Sequence, residues 1–265
     1  MRRVKIAAIG LAMIAALGMG RAVRAETVTA DLVGLIPFAG GDLSLNGSTL
    51  SGDGVGELVW NGAGFGNASP FNGSFDTFCI DLNEIINFNN VYSFNLVSLT
   101  SVPKPTSGAA YLTVTKALEI EDLYGEHLGS LGSILGNGDY QAFQLALWNI
   151  VYDTDASVSN GAGTFYVPST STLDPSVITE ANSWLTEALS LPLGDLYATD
   201  LVGMQGLEID ASGDFAQDQV VIVPGSDIPI GGTTPLPSAA LMGAVLLAGY
   251  GLVRSVRGGL RTEII

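Results

Sequence analysis

The chain has 265 residues, with 10 Lys and Arg against 26 Asp and Glu, a formal net charge of −16, one histidine and one cysteine. A charge of this sign repels phosphate backbones and excludes nucleic acid as a partner. The single cysteine excludes an internal disulfide, and the single histidine excludes a multi-histidine metal centre.

In chain order, the first element is a secretory signal. Arg2, Arg3 and Lys5 precede an apolar run from Ile6 to Met19, and Val23-Arg24-Ala25 supplies small residues at a cleavage site. This pattern predicts a signal peptide over residues 1–25, cut after Ala25. Beyond it the charge changes character. Between Ala25 and Pro237 the only Lys and Arg residues are Lys104 and Lys116, whereas all the acids except Glu263 fall there. The exported body is therefore far more acidic than the whole chain.

Short alternating segments predict strands over Thr27–Ile36, Gly56–Trp60, Ser74–Leu82 and Val91–Leu99. Asn-Gly and Asp-Gly pairs at 46–47, 53–54, 61–62, 72–73 and 160–161 are hairpin and turn signals. A helix is expected over Tyr111–Tyr124, with Leu112, Ala117, Leu118 and Leu123 on one side. A second is expected over Tyr140–Tyr152, with Asp139 as its N-cap and Phe143, Leu147 and Ile150 on one face, Ala146 beside them. Asp153 and Asp155 after it suit a capped turn. Asp174-Pro175 opens a third helix that runs through Trp184 to Leu189. Leu207–Ile209 and Gln219–Val223 return to strands. Strands, then helices, then strands predict one α+β domain over residues 26–224: a strand-rich body with about three inserted helices. Residues 225–237, rich in Gly, Pro and Thr, predict a linker.

The chain closes on Pro235-Leu236-Pro237, an apolar run from Ala239 to Val253, and Arg254, Arg257 and Arg261. Residues 238–253 make a helix of about 24 Å, short for a bilayer core of about 30 Å. The trailing arginines hold the tip in the cytoplasm, with the body outside. A proline pair, a short apolar helix and a basic tip resemble the PEP-CTERM sorting signals, here in a Pro-Leu-Pro form. The resemblance implies that Pro235, Pro237, Arg254 and Arg257 form the signal over residues 238–265 and its approach. It also implies an exosortase-type processing enzyme as partner. Localisation is then the inner membrane, followed by the cell surface or the medium. A plain single-span anchor is the alternative.

The chemistry of the body converges on three segments. Thr77-Phe78-Cys79-Ile80-Asp81 puts the cysteine at the end of a strand. Phe143-Gln144-Leu145-Ala146-Leu147-Trp148 lies inside the second helix. Asp218-Gln219-Val220-Val221-Ile222-Val223 opens an apolar strand with a glutamine. Taken singly, each suits ordinary core. Together, over roughly residues 75–224, they resemble the thioester domains of bacterial surface adhesins. The resemblance implies that Cys79 and Gln219 are joined through an internal thioester, with Phe78, Gln144 and Trp148 as the supporting motif. Two positions depart from the family pattern. Phe143 stands in place of a threonine and Asp218 in place of an apolar residue, which makes Gln217 a second candidate for the acyl donor. Phe78, Trp148 and Tyr152 are expected to wall the bond from water.

An attached target must carry an amine or hydroxyl, and no cofactor is expected. The carboxylates of Asp53, Glu57, Asp76, Asp81 and Glu84 suit calcium chemically but lack EF-hand spacing, so no metal site is assigned. A Cys79–His127 dyad has nothing in the sequence to bring it together, and no enzyme motif stands out. The expected function is an adhesin-like surface or matrix protein that attaches covalently. The alternative is a non-covalent matrix component with Cys79 as an inert buried thiol.

Overall fold

The computed structural model describes residues 26–37, 39–64, 71–103, 110–127, 137–190, 192, 201–207 and 215–223. Contacts divide the chain into Met1–Ile230 and Gly231–Ile265, and every described residue belongs to the first unit. The expected signal peptide, the expected linker and the C-terminal apolar run lie outside the described residues. Among the described residues no helix is long and apolar enough to cross a membrane.

Period-two alternation builds the first strands. In β1 (Thr27–Ile36), Val28, Ala30 and Leu32 are buried while their neighbours face outward. β2 (Gly40–Leu45) and β3 (Ser48–Gly54) form a hairpin whose two turn residues, Asn46 and Gly47, have φ of 53° and 77°. Both angles are positive, as a type I′ turn requires, which is why the chain places Asn-Gly there. β4 (Glu57–Gly64), β5 (Gly73–Cys79) and β6 (Val91–Val97) follow.

Three helices come next: α1 (Val114–His127), α2 (Asn137–Tyr152) and α3 (Pro175–Ser190). β7 (Phe165–Tyr166) lies between α2 and α3, and β8 (Leu201–Gly206) and β9 (Gln219–Ile222) follow them. The strands close a six-stranded antiparallel barrel in the order β1-β4-β5-β9-β8-β6, beside a three-stranded sheet β3-β2-β7. The β-rich body with three helices agrees with the expected α+β class.

Helix boundaries follow local chemistry. Asp174 accepts the Ser176 backbone N–H at 2.8 Å, and Pro175 occupies the first helical position of α3. Val177, Ala181, Leu185 and Ala188 form its buried stripe. Two expectations need correction. α2 starts at Asn137, so Asp139 sits in its first turn rather than capping it. Residues 141–150 are also buried on every side, so α2 has no solvent face there. It lies between the barrel and the other two helices, which explains its run of Ala, Leu, Phe and Trp. The strand expected over Leu207–Ile209 falls, beyond Leu207, outside the described residues; β8 covers Leu201–Gly206, just before it.

The core has two aromatic nests. Trp60 stacks on Phe75 and meets Tyr92 and Phe94 edge-on inside the barrel. Phe78, Tyr124, Phe143 and Trp184 form the other, between β5 and the three helices.

Candidate functional site

The last residue of β5 is Cys79, and β9 runs antiparallel beside it. Cys79 lies directly opposite Gln219. The Ile80 N–H donates to the Asp218 carbonyl at 3.1 Å, whereas the N–H and C=O of Cys79 are both used elsewhere. Cys79 and Gln219 are thus a non-hydrogen-bonded antiparallel pair. That geometry brings Cα atoms to about 4.5 Å and puts both side chains on one face in close approach.

Gln144 on α2 holds the other edge of Cys79. Its Oε1 accepts the Cys79 N–H at 3.0 Å, and its Nε2 donates to the Cys79 carbonyl at 2.8 Å. A side-chain amide here completes the ladder as another strand would, locking the end of β5 onto a helix. Gln144 is fully buried, so both pairs of polar groups satisfy one another away from water.

Gln219 is fully buried and held at both ends of its amide. The Thr77 hydroxyl donates to its Oε1 at 3.2 Å, and the Trp60 indole N–H donates to the Thr77 oxygen at 2.8 Å. Because the indole occupies that oxygen as an acceptor, the hydroxyl proton points at the glutamine carbonyl. A donor aimed at a carbonyl oxygen stabilises the negative charge that nucleophilic attack would place there. The Gln219 Nε2 donates to the Gln217 carbonyl at 2.9 Å.

The sulfur sits among groups from three segments of the chain. Cys79 Sγ donates to the Asp81 carbonyl at 3.2 Å, and Gln217 Nε2 donates to the same oxygen at 2.7 Å. Gln217 therefore also reaches the neighbourhood of the thiol, from a half-buried position. Burial pushes the Cys79 thiol well above its ordinary pKa, and the Asp81 charge adds to this, while the Trp148 indole works in the opposite direction. The group rests as a neutral S–H.

Tyr152 closes one side. Its hydroxyl accepts the Leu82 N–H at 2.8 Å and donates to Asp81 Oδ1 at 3.2 Å, and burial drives its pKa upward. Beyond it opens a cleft of about 320 Å³ whose lining includes Asn83, Tyr111, Thr113, Lys116 and Tyr152. Lys116 is anchored there by donating to the Val151 carbonyl at 2.7 Å.

Of the three aromatic walls expected, Trp148 and Tyr152 stand near the sulfur. Phe78 points to the opposite face of β5, as alternation demands, and packs on Tyr124 and Phe143. Phe143 fills that aromatic nest. Thr77 and Trp60 were not singled out by sequence reading. The available signal was Thr77 lying two residues before Cys79, hence on the same face.

The acidic candidates separate. Asp81, Glu84 and Asp218 converge, their oxygens all within 4.8 Å of one another, and each is engaged by other groups. Glu57 and Asp76 lie on the helix-facing side of β4 and β5, where burial and the Asp76 charge raise Glu57 to about 8. Asp153 and Asp155 accept the Thr154 and Ser157 N–H groups in the turn after α2, and Asp153 also accepts those of Thr164 and Phe165 at β7. His127 stands at the C-terminal end of α1, stacked on Trp184.

Compared with protein-family models, with curated proteins and with solved structures, the chain finds no match in any of the three.

Proposed function

We propose that this chain is an exported, C-terminally sorted surface or matrix protein, adhesin-like, whose α+β body attaches covalently to a target through a Cys79–Gln219 thioester. The observation that carries the reading is the non-hydrogen-bonded pairing of Cys79 with Gln219, fixed from behind by Gln144. In the forming step the sulfur attacks the Gln219 side-chain carbon. The C–S bond forms as the C–N bond breaks, and the thiol proton leaves with the nitrogen as ammonia. Thr77, oriented by Trp60, steadies the oxygen during attack. Rigid positioning supplies most of the rate, because both residues are held on paired strands, one opposite the other. The resulting acyl group then passes to an amine or hydroxyl of the target, regenerating the thiol. Signal peptide, Pro-Leu-Pro motif and basic tip account for delivery, with an exosortase-type enzyme as processing partner. No part of the reading calls for a cofactor or for catalytic turnover.

A second reading keeps Cys79 as an inert buried thiol in a non-covalent matrix component. It is favoured by the resting hydrogen bonds, in which the thiol engages Asp81 and the Gln219 amide engages Thr77 and Gln217. Incubation with a small primary amine followed by peptide mapping separates the two. The covalent reading expects an amine adduct at residue 219. An adduct at 217 reassigns the donor, and no adduct at either glutamine favours the inert thiol.

A further inference from the structure

We propose that Glu126, His127 and Glu187 form a site for a borderline divalent transition-metal ion of the Zn²⁺ type, which clamps the end of α1 onto α3. His127 Nε2 lies 3.9 Å from an oxygen of Glu126 and 3.9 Å from an oxygen of Glu187. The His127 side chain is only 10% exposed, and its Nε2 is buried with no hydrogen-bond partner among the described residues. A buried ring nitrogen left unsatisfied beside two carboxylates is unfavourable unless something lies between them. The three ligand atoms all lie within 4.8 Å of one another.

A proton does not fill this gap well. At 3.9 Å neither carboxylate makes a hydrogen bond to the ring. Glu126, Glu187 and Asp122 crowd like charges together here. A divalent cation would relieve that crowding, and Lys116, the lysine among the described residues, is committed to Val151.

The dimensions suit a metal. Ligand atoms around a tetrahedral zinc stand about 3.4 Å apart, given bonds of about 2.1 Å. The two separations from His127 need to shrink by only about half an ångström. One nitrogen and two carboxylate oxygens are a borderline donor set, better for Zn²⁺ than for Ca²⁺ or Mg²⁺.

Three further features fix the site. The ring of His127 stacks on Trp184 at 4.3 Å, which sets its plane. The Ser183 hydroxyl donates to the other oxygen of Glu187 at 2.9 Å, which orients that carboxylate. The site also sits at the C-terminal end of α1, where the helix dipole favours a cation. Glu187 is half exposed, leaving the remaining coordination open to water.

The test is calorimetric titration of the untagged full chain in detergent with ZnCl₂, read in parallel by tryptophan fluorescence. The expected result is saturable binding of one ion per chain with a change in the fluorescence of Trp184. Glu187→Gln, on an exposed side chain, should leave the fold intact by circular dichroism and weaken binding at least about tenfold. His127→Asn should weaken it further. Cys79→Ala should bind as the parent does. Absence of saturable binding overturns the proposal, as does equal affinity in Glu187→Gln and the parent, or loss of binding in Cys79→Ala.

Discussion

Gln144 gives the sharpest test of how the site is built. Replacing it with leucine keeps the approximate volume and helix propensity but removes both hydrogen bonds to Cys79. The Cys79 N–H and C=O are then left buried without partners. Each such group costs about 1–3 kcal/mol, so the pair costs roughly 2–6 kcal/mol. Burying the added apolar surface of leucine returns about 1 kcal/mol. The net loss, about 1–5 kcal/mol, is a large fraction of the 5–15 kcal/mol that typically separates folded from unfolded states. Urea unfolding followed by circular dichroism measures it, with the slope m expected to stay the same and the midpoint to fall. The freed end of β5 should also form the Cys79–Gln219 bond slowly or not at all. A Gln144→Leu protein that loses less than about 0.5 kcal/mol and forms the bond at the parental rate would refute this account of the strand end.

Other perturbations probe separate parts of the argument. Thr77→Val removes the donor to Gln219 Oε1 and should slow bond formation by about tenfold or more, measured as mass change against time after refolding, while Thr77→Ser restores it. Gly206→Ala drives a Cβ into the backbone carbonyl of Ala216, so it should cost over about 2 kcal/mol in denaturant unfolding. Gly47→Ala, with φ of 77° but no neighbour within 4 Å, should cost only about 1 kcal/mol. Glu57 stays protonated in the fold up to about 8 but ionises near 4.5 when unfolded. Its contribution to stability is therefore fully present below pH 4.5 and is lost as pH rises towards 8. Glu57→Gln should raise the melting temperature relative to the parent more at pH 8 than at pH 5, and an equal offset at both would contradict the burial argument.

Much of the scaffold was legible from the sequence because its signals are local. The alternation of Val28, Ala30 and Leu32 marks β1, Asn46-Gly47 marks a hairpin turn, and Asp174-Pro175 marks the start of α3. β2, β3 and β7 were not anticipated, since Gly-rich and very short strands carry little alternation. The uniform burial of α2 was missed because a helix under two layers reads locally like one with a single apolar face. For the site, the sequence nominated Cys79, Gln144 and Gln219 but no order in space, since they lie 65 and 140 residues from Cys79. Their meeting depends on β9 closing the barrel against β5, a long-range pairing that no local pattern encodes. Trp60 and Thr77 were hidden for the same reason: their role exists only once β4 and β5 are side by side.

The central claim is a bond, and intact mass spectrometry of the full chain reads it directly. The account predicts a mass lower than the sequence by one ammonia, a methylamine adduct that restores and exceeds it, and neither effect in Cys79→Ala. A parent protein whose mass equals that of its processed sequence, with no gain on methylamine treatment, would contradict it.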